Sequence, residues 1–384
     1  MEGVSASNRP RLLILSFSPI ASDARVLKQV ELFAGRYDVT TCGYGPAPAG
    51  VVEHLQLPDD ATIALDGRLI TLRAYPLVYS RTPAVVAARA ALAGRTFDVV
   101  LANDVETVPL ALSLRAPVHA DLHEYSPRLH DDNPAWARRI GPYVRWLCRR
   151  YVSRAASATT VGEGLARAYE SEVGVRAQVV TNAAPYAERT PTEVVCPLRL
   201  VHSGAALRNR DLMVLLDAVA LTTTPVTLDL YLMPNDPAYI AELRARAAQI
   251  DGVRVLDPVP YAQLGDTLAG YDVGIHVLPP VNFNNAHALP NKLFDYVQAR
   301  LALVVGPTPE MAAAVERHGI GTVASGFDAR SLADVLDSLT PEKVAEQRAA
   351  SHAVARELSA EQQVLVWERA IDALVATSAG GGSR

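Results

Sequence analysis

Residues 11–17 read R-L-L-I-L-S-F, a short apolar run with the length of a β-strand. The segment S-P-I-A-S follows, and from Asp23 onward apolar residues recur at helical spacing between residues 26 and 33. Asp is a residue type that caps helix N-termini, and Gly35 is one that ends helices. This stretch therefore predicts a strand, a tight loop and an α-helix, in that order.

The same alternation continues through the chain. Predicted strands of the first half lie near residues 38–42, 69–73, 98–102, 117–122, 158–161 and 177–181. Those of the second half lie near 198–204, 226–233, 253–256, 273–278, 302–306 and 321–324. Helices are predicted between most of them, notably at 209–222, 236–250, 261–270 and 290–299, with one long helix at 342–376. Apolar strands alternating with amphipathic helices are typical of parallel sheets covered on both faces.

A break in this pattern divides the chain. Residues 183–197 contain three prolines and no periodicity, which predicts a linker. We expect an α/β protein with two tandem Rossmann-like, doubly wound parallel-sheet domains, at 1–185 and 198–360, facing a cleft. Residues 361–384 are expected to form a C-terminal helix packed on the first domain, and a flexible tail. Ligands of such sheets bind beyond the carboxyl ends of the strands, where helix N-termini point.

Composition narrows the class of protein. Hydrophobic residues make up 49% of 384, and the formal net charge of −5 disfavours nucleic acid as a partner. Cys42, Cys148 and Cys196 form no C-x-x-C pair, so neither a zinc ribbon nor a disulfide framework is expected. The sequence contains no apolar window of about 18 residues and begins without a signal-peptide pattern. We therefore expect a cytoplasmic protein.

The segment H-A-D-L-H-E, residues 119–124, carries alternating His119, Asp121 and His123. On a strand these side chains share one face, at a spacing that metal ligands can have. Because no second ligand cluster and no D-x-D pair occur, we expect no metal. In the alternative interpretation His123 and Glu124 lie at a strand end, where the imidazole can hydrogen-bond a substrate.

A basic stretch between residues 138 and 154 carries six arginines interleaved with aromatic residues. Such a pattern is typical of the solvated face of an amphipathic helix. It also fits an interfacial helix in peripheral contact with anionic lipid at the inner face of the membrane.

The most informative segment is 279–311, which contains A-L-P-N-K-L-F-D-Y. Its helix is predicted to begin near Pro290, so that Asn291 and Lys292 lie at the N-terminus, where backbone N–H groups favour an anion. Asp295 lies one turn later on the face of Asn291. A cation for phosphate beside a carboxylate for ribose hydroxyls predicts a nucleoside-diphosphate site. The alternative is a capped helix with an exposed lysine and aspartate.

Together these segments resemble the GT-B-fold glycosyltransferases, in particular glycosyltransferase family four. The resemblance extends over about residues 10–375. It depends on S-P-I-A-S-D-A-R, D-L-H-E-Y-S-P, H-S-G-A-A-L-R-N-R-D-L, L-P-N-K-L-F-D-Y and P-E-M. It implies a retaining, metal-independent enzyme without a resident cofactor. Such an enzyme would move a sugar from a nucleoside-diphosphate sugar to a hydroxyl-bearing small-molecule or glycan acceptor.

The resemblance also implies roles for particular residues. Catalytic roles fall on His123, Arg210 and Lys292. Donor-binding roles fall on Gly204, Arg210, His287, Asn291, Lys292 and Asp295, with the backbone near 256–259 lining the base pocket. Acceptor-binding roles fall on Ser18, Asp23, Arg25, His123 and Glu124.

The chain departs from the family pattern at two places. His287 and Asp295 stand where the family has paired glutamates, and Ala205 stands where its glycine loop has an arginine. Arg210 and Lys292 would therefore carry the charge that binds the diphosphate.

Two other functions are compatible with these residues. A sugar-nucleotide epimerase or hydrolase of the same fold would need an acid–base pair, which His123, His287 and Glu310 offer. A non-catalytic, nucleotide-binding partner subunit is left open by Ala205 and His287. An oxidoreductase is disfavoured, because the G-x-G-x-x-A pattern at 319–324 follows a helix instead of opening one.

Overall fold

The computed structural model describes residues 9–380. These residues form two compact units. The first extends to Val180 and resumes at Val364, and the second is Thr181–Gln363. None of the described helices combines the length and apolar character needed to cross a bilayer.

The first unit is built on a seven-stranded sheet in which every pairing is parallel. Its strands are β1 (Arg11–Pro19), β2 (Asp38–Tyr44), β3 (Glu53–Gln56), β4 (Val99–Asn103), β5 (Val118–Leu122), β6 (Ser157–Thr160) and β7 (Gln178–Val179). Their order in the sheet is β3-β2-β1-β4-β5-β6-β7. The order reverses between β1 and β4, which is the topological switch point of a doubly wound sheet.

Eight helices connect these strands. They are α1 (Ala24–Phe33), α2 (Gly67–Thr71), α3 (Tyr75–Arg81), α4 (Pro83–Ala91), α5 (Val108–Ser113), α6 (Pro134–Arg139), α7 (Gly141–Arg150) and α8 (Glu163–Val173). Helix α1 begins as predicted, because the Asp23 carboxylate accepts hydrogen bonds from the amides of Arg25 and Val26. Its apolar face packs with alternate residues of β1, among them Leu12 and Ile14.

The second unit repeats the plan with a six-stranded parallel sheet. Its strands are β8 (Leu198–Ala205), β9 (Val226–Met233), β10 (Val253–Leu256), β11 (Val273–His276), β12 (Ala302–Val305) and β13 (Gly321–Val323), in the order β10-β9-β8-β11-β12-β13. Its helices are α9 (Met213–Leu221), α10 (Pro237–Ala247), α11 (Tyr261–Leu268), α12 (Phe283–Ala286), α13 (Asn291–Gln298), α14 (Pro309–His318), α15 (Ala329–Asp337), α16 (Pro341–Val354) and α17 (Ala360–Gln363). The switch point lies between β8 and β11.

The predicted fold class, two Rossmann-like parallel α/β sheets, is confirmed. The interpretation of the 319–324 pattern is also confirmed. Gly319 ends α14 in the left-handed region, with a φ of +63°, and Gly321 begins β13.

The strand predicted at 69–73 is wrong. These residues belong to α2 and the turn after it, because the Asp66 carboxylate accepts hydrogen bonds from the amides of Arg68 and Leu69 and starts a helix. The third strand is instead β3, at the edge of the sheet. Its sequence, E-H-L-Q, is only partly buried and carries no apolar run that would predict it.

The single helix predicted at 342–376 is also wrong. Helix α16 ends at Val354, and the amide of Ala360 then donates a hydrogen bond to the carbonyl of Ala184 instead of continuing the helix. After α17 the chain returns to the first unit as α18 (Leu365–Gly380). Trp367 and Ile371 of α18 are fully buried in the core of that unit.

Candidate functional site

The end of β8 brings Gly204 directly beneath the side chain of Lys292. Gly204 has a φ of +146°, and a β-carbon at this position would lie 2.5 Å from Lys292 Nζ. Such a distance is a steric clash, and the backbone angle is one that side chains other than glycine rarely adopt. A larger residue at this position would therefore displace the end of the Lys292 side chain, whereas glycine lets the lysine lie against the end of the strand.

A cavity of about 540 Å³ opens beside this pair, entirely within the second unit. It is lined by the donor-site candidates Gly204, Asn291, Lys292 and Asp295. The remaining lining residues are Ser203, Tyr231, Met233, Pro258, Val259, Pro260, Tyr261 and Leu264. The volume falls within the range of small-molecule sites, and the position at the switch point is where doubly wound sheets bind ligands.

The N-terminus of α13 forms one wall of the cavity. The helix begins at Asn291, and Pro290 precedes it without any side-chain cap. Uncapped N–H groups and the helix dipole favour an anion at this end. Lys292 adds a full positive charge, although burial and the neighbouring Arg210 lower the pKa of its ammonium to about 8.

Arg210 follows β8 on a short 3₁₀-helix, Arg208–Arg210. Its guanidinium lies close enough to Lys292 that the two cations repel each other. The adjacent Arg208 differs, because it is ion-paired with Glu242 at 2.7 Å and with Asp236 at 3.2 Å. Besides burial, the repulsion between Lys292 and Arg210 lowers the pKa of Lys292, Asp295 opposes this shift in part, and a bound anion would relieve the repulsion.

Asp295 marks the other end of the cavity. The hydroxyl of Tyr261, at the start of α11, lies 3.5 Å from Asp295 Oδ1, and the Tyr261 side chain is 65% exposed. Together with Pro258 and Val259 it forms an open aromatic and apolar wall, which suits the face of a nucleobase. The backbone of 256–259 was expected here, but Tyr261 was not, although an aromatic residue directly after a proline-rich loop is a signal that could have found it.

Two histidines beneath the phosphate-binding end were also missed. His202 and His276 stack with ring centroids 5.6 Å apart, and His202 Nδ1 is 2.9 Å from the carbonyl oxygen of Ile275. Both nitrogens of His276 are buried without a hydrogen-bond partner among the residues described. Burial and then the charge of Lys292 hold the pKa of each imidazole below its usual range, so both rings are neutral. Their position on adjacent apolar strands, near the carboxyl ends, was the available signal.

His287 follows α12 and is not among the described residues that line the cavity. Its ring lies against that of Phe283, tilted by 46° with centroids 4.6 Å apart, and its Nδ1 lies 4.0 Å from Glu310 Oε1. Glu310 lies in the first turn of α14 and is mostly buried. The structure therefore pairs His287 with Glu310, and the donor-binding role of His287 stays a prediction.

In the first unit, His123 follows β5 among three polar partners. One nitrogen, Nε2, lies 3.0 Å from Asn103 Oδ1 and 3.4 Å from Asp121 Oδ2, and Nδ1 lies 3.4 Å from Asp104 Oδ2. Burial alone would lower the pKa of the imidazole, but the two carboxylates outweigh it and raise the pKa to about 9. His123 is thus a cationic donor at neutral pH and not a base.

Arg25 is buried and fully engaged by the structure around it. Its Nε and Nη2 each lie 2.7 Å from a carboxylate oxygen of Asp121, and Nη1 donates to the carbonyl of Val180 at 2.9 Å. The guanidinium also lies 4.7 Å from the ring centroid of Trp367. These contacts are structural, so the acceptor-binding role of Arg25 stays a prediction without support from its geometry.

The other acceptor candidates lie at the same edge of the first sheet. Asp23 caps α1 through its carboxylate, and the Ser18 hydroxyl lies 2.8 Å from that of Ser16. Glu124 is exposed directly after His123. Their contacts with an acceptor stay predictions.

The metal interpretation of H-A-D-L-H-E finds no geometric support. His119 is buried, and its two ring nitrogens lie 2.8 Å from the Ser157 hydroxyl and 2.9 Å from that of Thr159. Burial lowers the pKa of this imidazole to about 4. Across residues 9–380, no group of three or more His, Cys, Asp or Glu side chains is arranged to hold a metal ion.

The basic stretch forms α6, α7 and the 3₁₀-helix Val152–Arg154. Arg149 donates to the carbonyl of Glu172, and Arg139 to the hydroxyl of Thr71. These arginines therefore have partners within the unit, and contact with a membrane stays a prediction.

Comparison with known proteins finds the same fold in solved structures. No family model matches the chain, and no curated protein matches it by sequence. Sucrose-phosphate synthase from Thermosynechococcus elongatus superposes with a TM-score of 0.74 at 12% identity, over 96% of this chain and 100% of that one. HepE of Anabaena, solved in complex with UDP, gives 0.70 at 13% identity over 95% and 100%. A UDP-forming α,α-trehalose-phosphate synthase from Burkholderia vietnamiensis gives 0.69 at 13% identity over 97% and 99%. The fold of this chain is therefore that of the GT-B glycosyltransferases.

Proposed function

We propose that the protein is a glycosyltransferase that uses a nucleoside-diphosphate sugar as donor. The observation that carries this proposal is the position of Lys292 over Gly204, at the N-terminus of α13 and within the field of Arg210. Cations and helix N–H groups aimed at one point stabilise the negative charge that develops on a departing diphosphate. Asp295 and Tyr261 supply a carboxylate and an aromatic face for the nucleoside.

The solved structures of the same fold support this class of donor. HepE of Anabaena is described in complex with UDP and with UDP-glucose, and the trehalose-phosphate synthase is described as UDP-forming. At 12–15% identity they share the fold. The donor of this chain is proposed from its own cavity together with that likeness. UDP-sugars are accordingly the first donors to test.

In the proposed reaction, the bond between the anomeric carbon and the diphosphate oxygen breaks, and its electron pair leaves with the diphosphate. The acceptor oxygen forms the new bond on the same face, so configuration is retained, and its proton passes to the departing phosphate oxygen. Arg210 and Lys292 stabilise the leaving group without a metal ion. No protein base is required.

We assign the acceptor to the first unit, with His123 as its main polar contact. An imidazole with a pKa near 9 carries a proton at neutral pH, so it can donate a hydrogen bond but cannot remove a proton from the acceptor. This protonation state agrees with a reaction that needs no protein base. Ser18 and Glu124 are the further polar groups proposed to orient the acceptor.

The pairing of His287 with Glu310 favours one second candidate, a sugar-nucleotide epimerase or hydrolase. An imidazole and a carboxylate 4.0 Å apart can act as an acid–base pair near a sugar ring. Incubating the sugar nucleotide alone separates the two functions. Rapid conversion without an acceptor supports the second candidate, and conversion only with an acceptor supports transfer.

A thermal-shift screen tests the donor site directly. A ligand that binds only the folded protein raises its melting temperature, so nucleoside diphosphates and their sugars can be ranked by the shift. We expect a diphosphate to give a larger shift than its monophosphate, because Lys292 and Arg210 are the proposed partners of the phosphates. Equal shifts for a nucleoside and its diphosphate would contradict the proposed phosphate site.

A further inference from the structure

A second cavity, of about 380 Å³, lies within the first unit at the carboxyl ends of three neighbouring strands. Phe17 enters it near the end of β1, Val105 and Glu106 follow β4, and Ser126 follows β5. Open α/β sheets bind ligands at this edge, and the volume suits a small molecule. The cavity therefore lies where a substrate of the first unit is expected.

The walls of this cavity are mostly apolar. Apart from Thr82, Glu106 and Ser126, the lining side chains are aliphatic or aromatic, and the polar atoms of the aromatic ones are the hydroxyls of Tyr79 and Tyr143 and the indole nitrogen of Trp136. Helices α6 and α7 contribute Trp136 and Leu147 among others. The Thr82 hydroxyl is already bonded to the carbonyl of Val78 at 3.0 Å. A charged or densely hydroxylated ligand would lose its hydration here and find few partners in return.

Glu106 is the one ionisable carboxyl in the cavity wall. In the described part of the chain no other side chain donates a hydrogen bond to its carboxyl, and the Tyr79 hydroxyl is bonded instead to its backbone carbonyl at 3.0 Å. Burial, with a contribution from Asp104, raises the pKa of the carboxyl to about 7, against the opposing charge of His123. The group can thus serve a ligand hydroxyl close to the candidate acceptor residue His123.

We infer that this cavity binds the body of the acceptor, and that the acceptor is an uncharged apolar alcohol with a ring or a branched carbon skeleton. Glu106 forms a hydrogen bond with a hydroxyl of that molecule, and the aromatic and aliphatic walls bury the rest. The inference rests on the proposed transferase function and specifies its acceptor class. Anionic acceptors such as sugar phosphates are disfavoured in this cavity, because its apolar walls would desolvate them and because Asp104 and Glu124 add negative charge around Glu106 that His123 only partly offsets.

The test uses naphthylmethanol and naphthoate, which share one ring system and differ in charge, with calorimetric titration of each into the full chain. UDP is titrated separately into the same samples. Two variants fill the cavity from different sides: Val144→Trp on α7 and Leu129→Trp in the loop after β5. The matched control is Val86→Trp on α4, where the side chain is 48% exposed and lies outside the cavity lining.

We expect naphthylmethanol to bind wild-type protein and naphthoate to bind about tenfold or more weakly. Each filling variant should weaken naphthylmethanol binding by about tenfold or more, while Val86→Trp leaves it unchanged. UDP affinity should stay the same in all of them. Glu106→Gln should reduce the preference for the alcohol over the carboxylate.

The inference is overturned if wild-type protein binds neither probe, or binds both equally, since these measurements do not depend on any variant folding. It is also overturned if both filling variants bind UDP normally and still bind naphthylmethanol as wild type does. If wild-type protein does not bind UDP, that result would instead contradict the proposed function. Failure of the acceptor inference and failure of the donor site are thereby distinguished.

Discussion

The ammonium nitrogen of Lys292 lies so close to Gly204 that a β-carbon at position 204 would be only 2.5 Å from it. A side chain at position 204, at the end of a strand, would thus collide with Lys292 at the N-terminus of α13. The lysine is also buried and repelled by Arg210, so its charge is held at an energetic cost. Substitutions at either position should therefore change nucleotide binding and stability together.

Gly204→Ala should displace Lys292 and weaken UDP binding by about tenfold or more, a loss of one well-placed charge-assisted contact. The measurement is calorimetric titration with UDP. Gly319→Ala is the matched control, because Gly319 also has a positive φ, of +63°, but a β-carbon there would have no neighbouring atom within 4 Å. It should cost stability through backbone strain and leave UDP affinity intact. Equal affinity losses in both variants would refute the steric explanation.

Arg210→Ala and Lys292→Ala should each lower turnover by about two orders of magnitude, the scale of removing one electrostatic donor from a transition state. Turnover is measured as diphosphate release with the sugar nucleotide that gives the largest thermal shift. Arg208→Ala removes the neighbouring arginine, which is bound to Glu242 and Asp236. Turnover in that variant should match wild type. Unchanged turnover in both Arg210→Ala and Lys292→Ala would contradict the proposed phosphate site.

The protonation of Lys292 should set the alkaline limit of nucleotide binding. Its pKa in the folded protein is about 8, below its ordinary value, so UDP affinity should fall as pH rises through about 8. Stability should change in the opposite direction. The unfolded chain binds the extra proton between the two pKa values, so the free energy of unfolding rises with pH across that window.

The variant Lys292→Met separates these two effects. It removes a buried charge, so the empty protein should gain roughly 1–3 kcal/mol below pH 8 while losing UDP binding. Lys343→Met changes a partly exposed lysine on α16, whose ammonium lies 3.3 Å from the Ser338 hydroxyl, and should neither raise stability nor change UDP binding. Thermal unfolding and UDP titration over a pH series provide the readouts, and a loss of stability in Lys292→Met would contradict the assigned pKa shift.

His276→Phe should raise the melting temperature of the empty protein. Both ring nitrogens of His276 are buried without a partner among the described residues, and a phenyl ring removes them while keeping a stacked neighbour for His202. The reverse outcome is expected for His202→Phe, which leaves the carbonyl of Ile275 without the imidazole it contacts at 2.9 Å. The melting temperatures of both variants test this expectation. Similar destabilisation by both substitutions would show that His276 has a partner in solution.

Arg25→Ala should destabilise the first unit by about 3–5 kcal/mol, because it removes both 2.7 Å guanidinium contacts of the fully buried Asp121 carboxylate and leaves His123, at 3.4 Å, as its cationic neighbour. Arg11→Ala breaks an ion pair with Asp98 whose side chains are 49% and 40% exposed, and should cost less than about 1 kcal/mol. Denaturant unfolding measures both. An Arg25→Ala protein of wild-type stability with reduced acceptor binding would restore the acceptor role for Arg25.

Features with a local signal could be predicted from the sequence. The strands β1 and β8 are rich in apolar residues, Asp23 is a capping residue type, and Pro290, Asn291 and Lys292 open a helix in an order that indicates an anion site. Strand β3 could not be predicted in this way, because its polar sequence depends on pairing with β2 for its conformation.

The site residues that could not be predicted depend on contacts between segments that are distant in the sequence. Tyr261 reaches Asp295 across 34 positions, and His202 stacks on His276 across two strands, so neither relationship has a sequence pattern. The acceptor role of Arg25 is implied only by the family resemblance. Its partner in the structure, Asp121, lies 96 positions away and becomes visible only when β5 is placed against α1.

The return of the chain to the first unit has a consequence for how the protein is made. Trp367 closes the core beside Arg25 and donates from its indole nitrogen toward Asp121, but the ribosome adds it only after the whole of Thr181–Gln363. During synthesis the first unit therefore stays incomplete at a time when the second unit already has all of its strands. The half that begins first is therefore finished last, and a nascent chain stalled before α18 would expose the apolar surface that Trp367 and Ile371 cover.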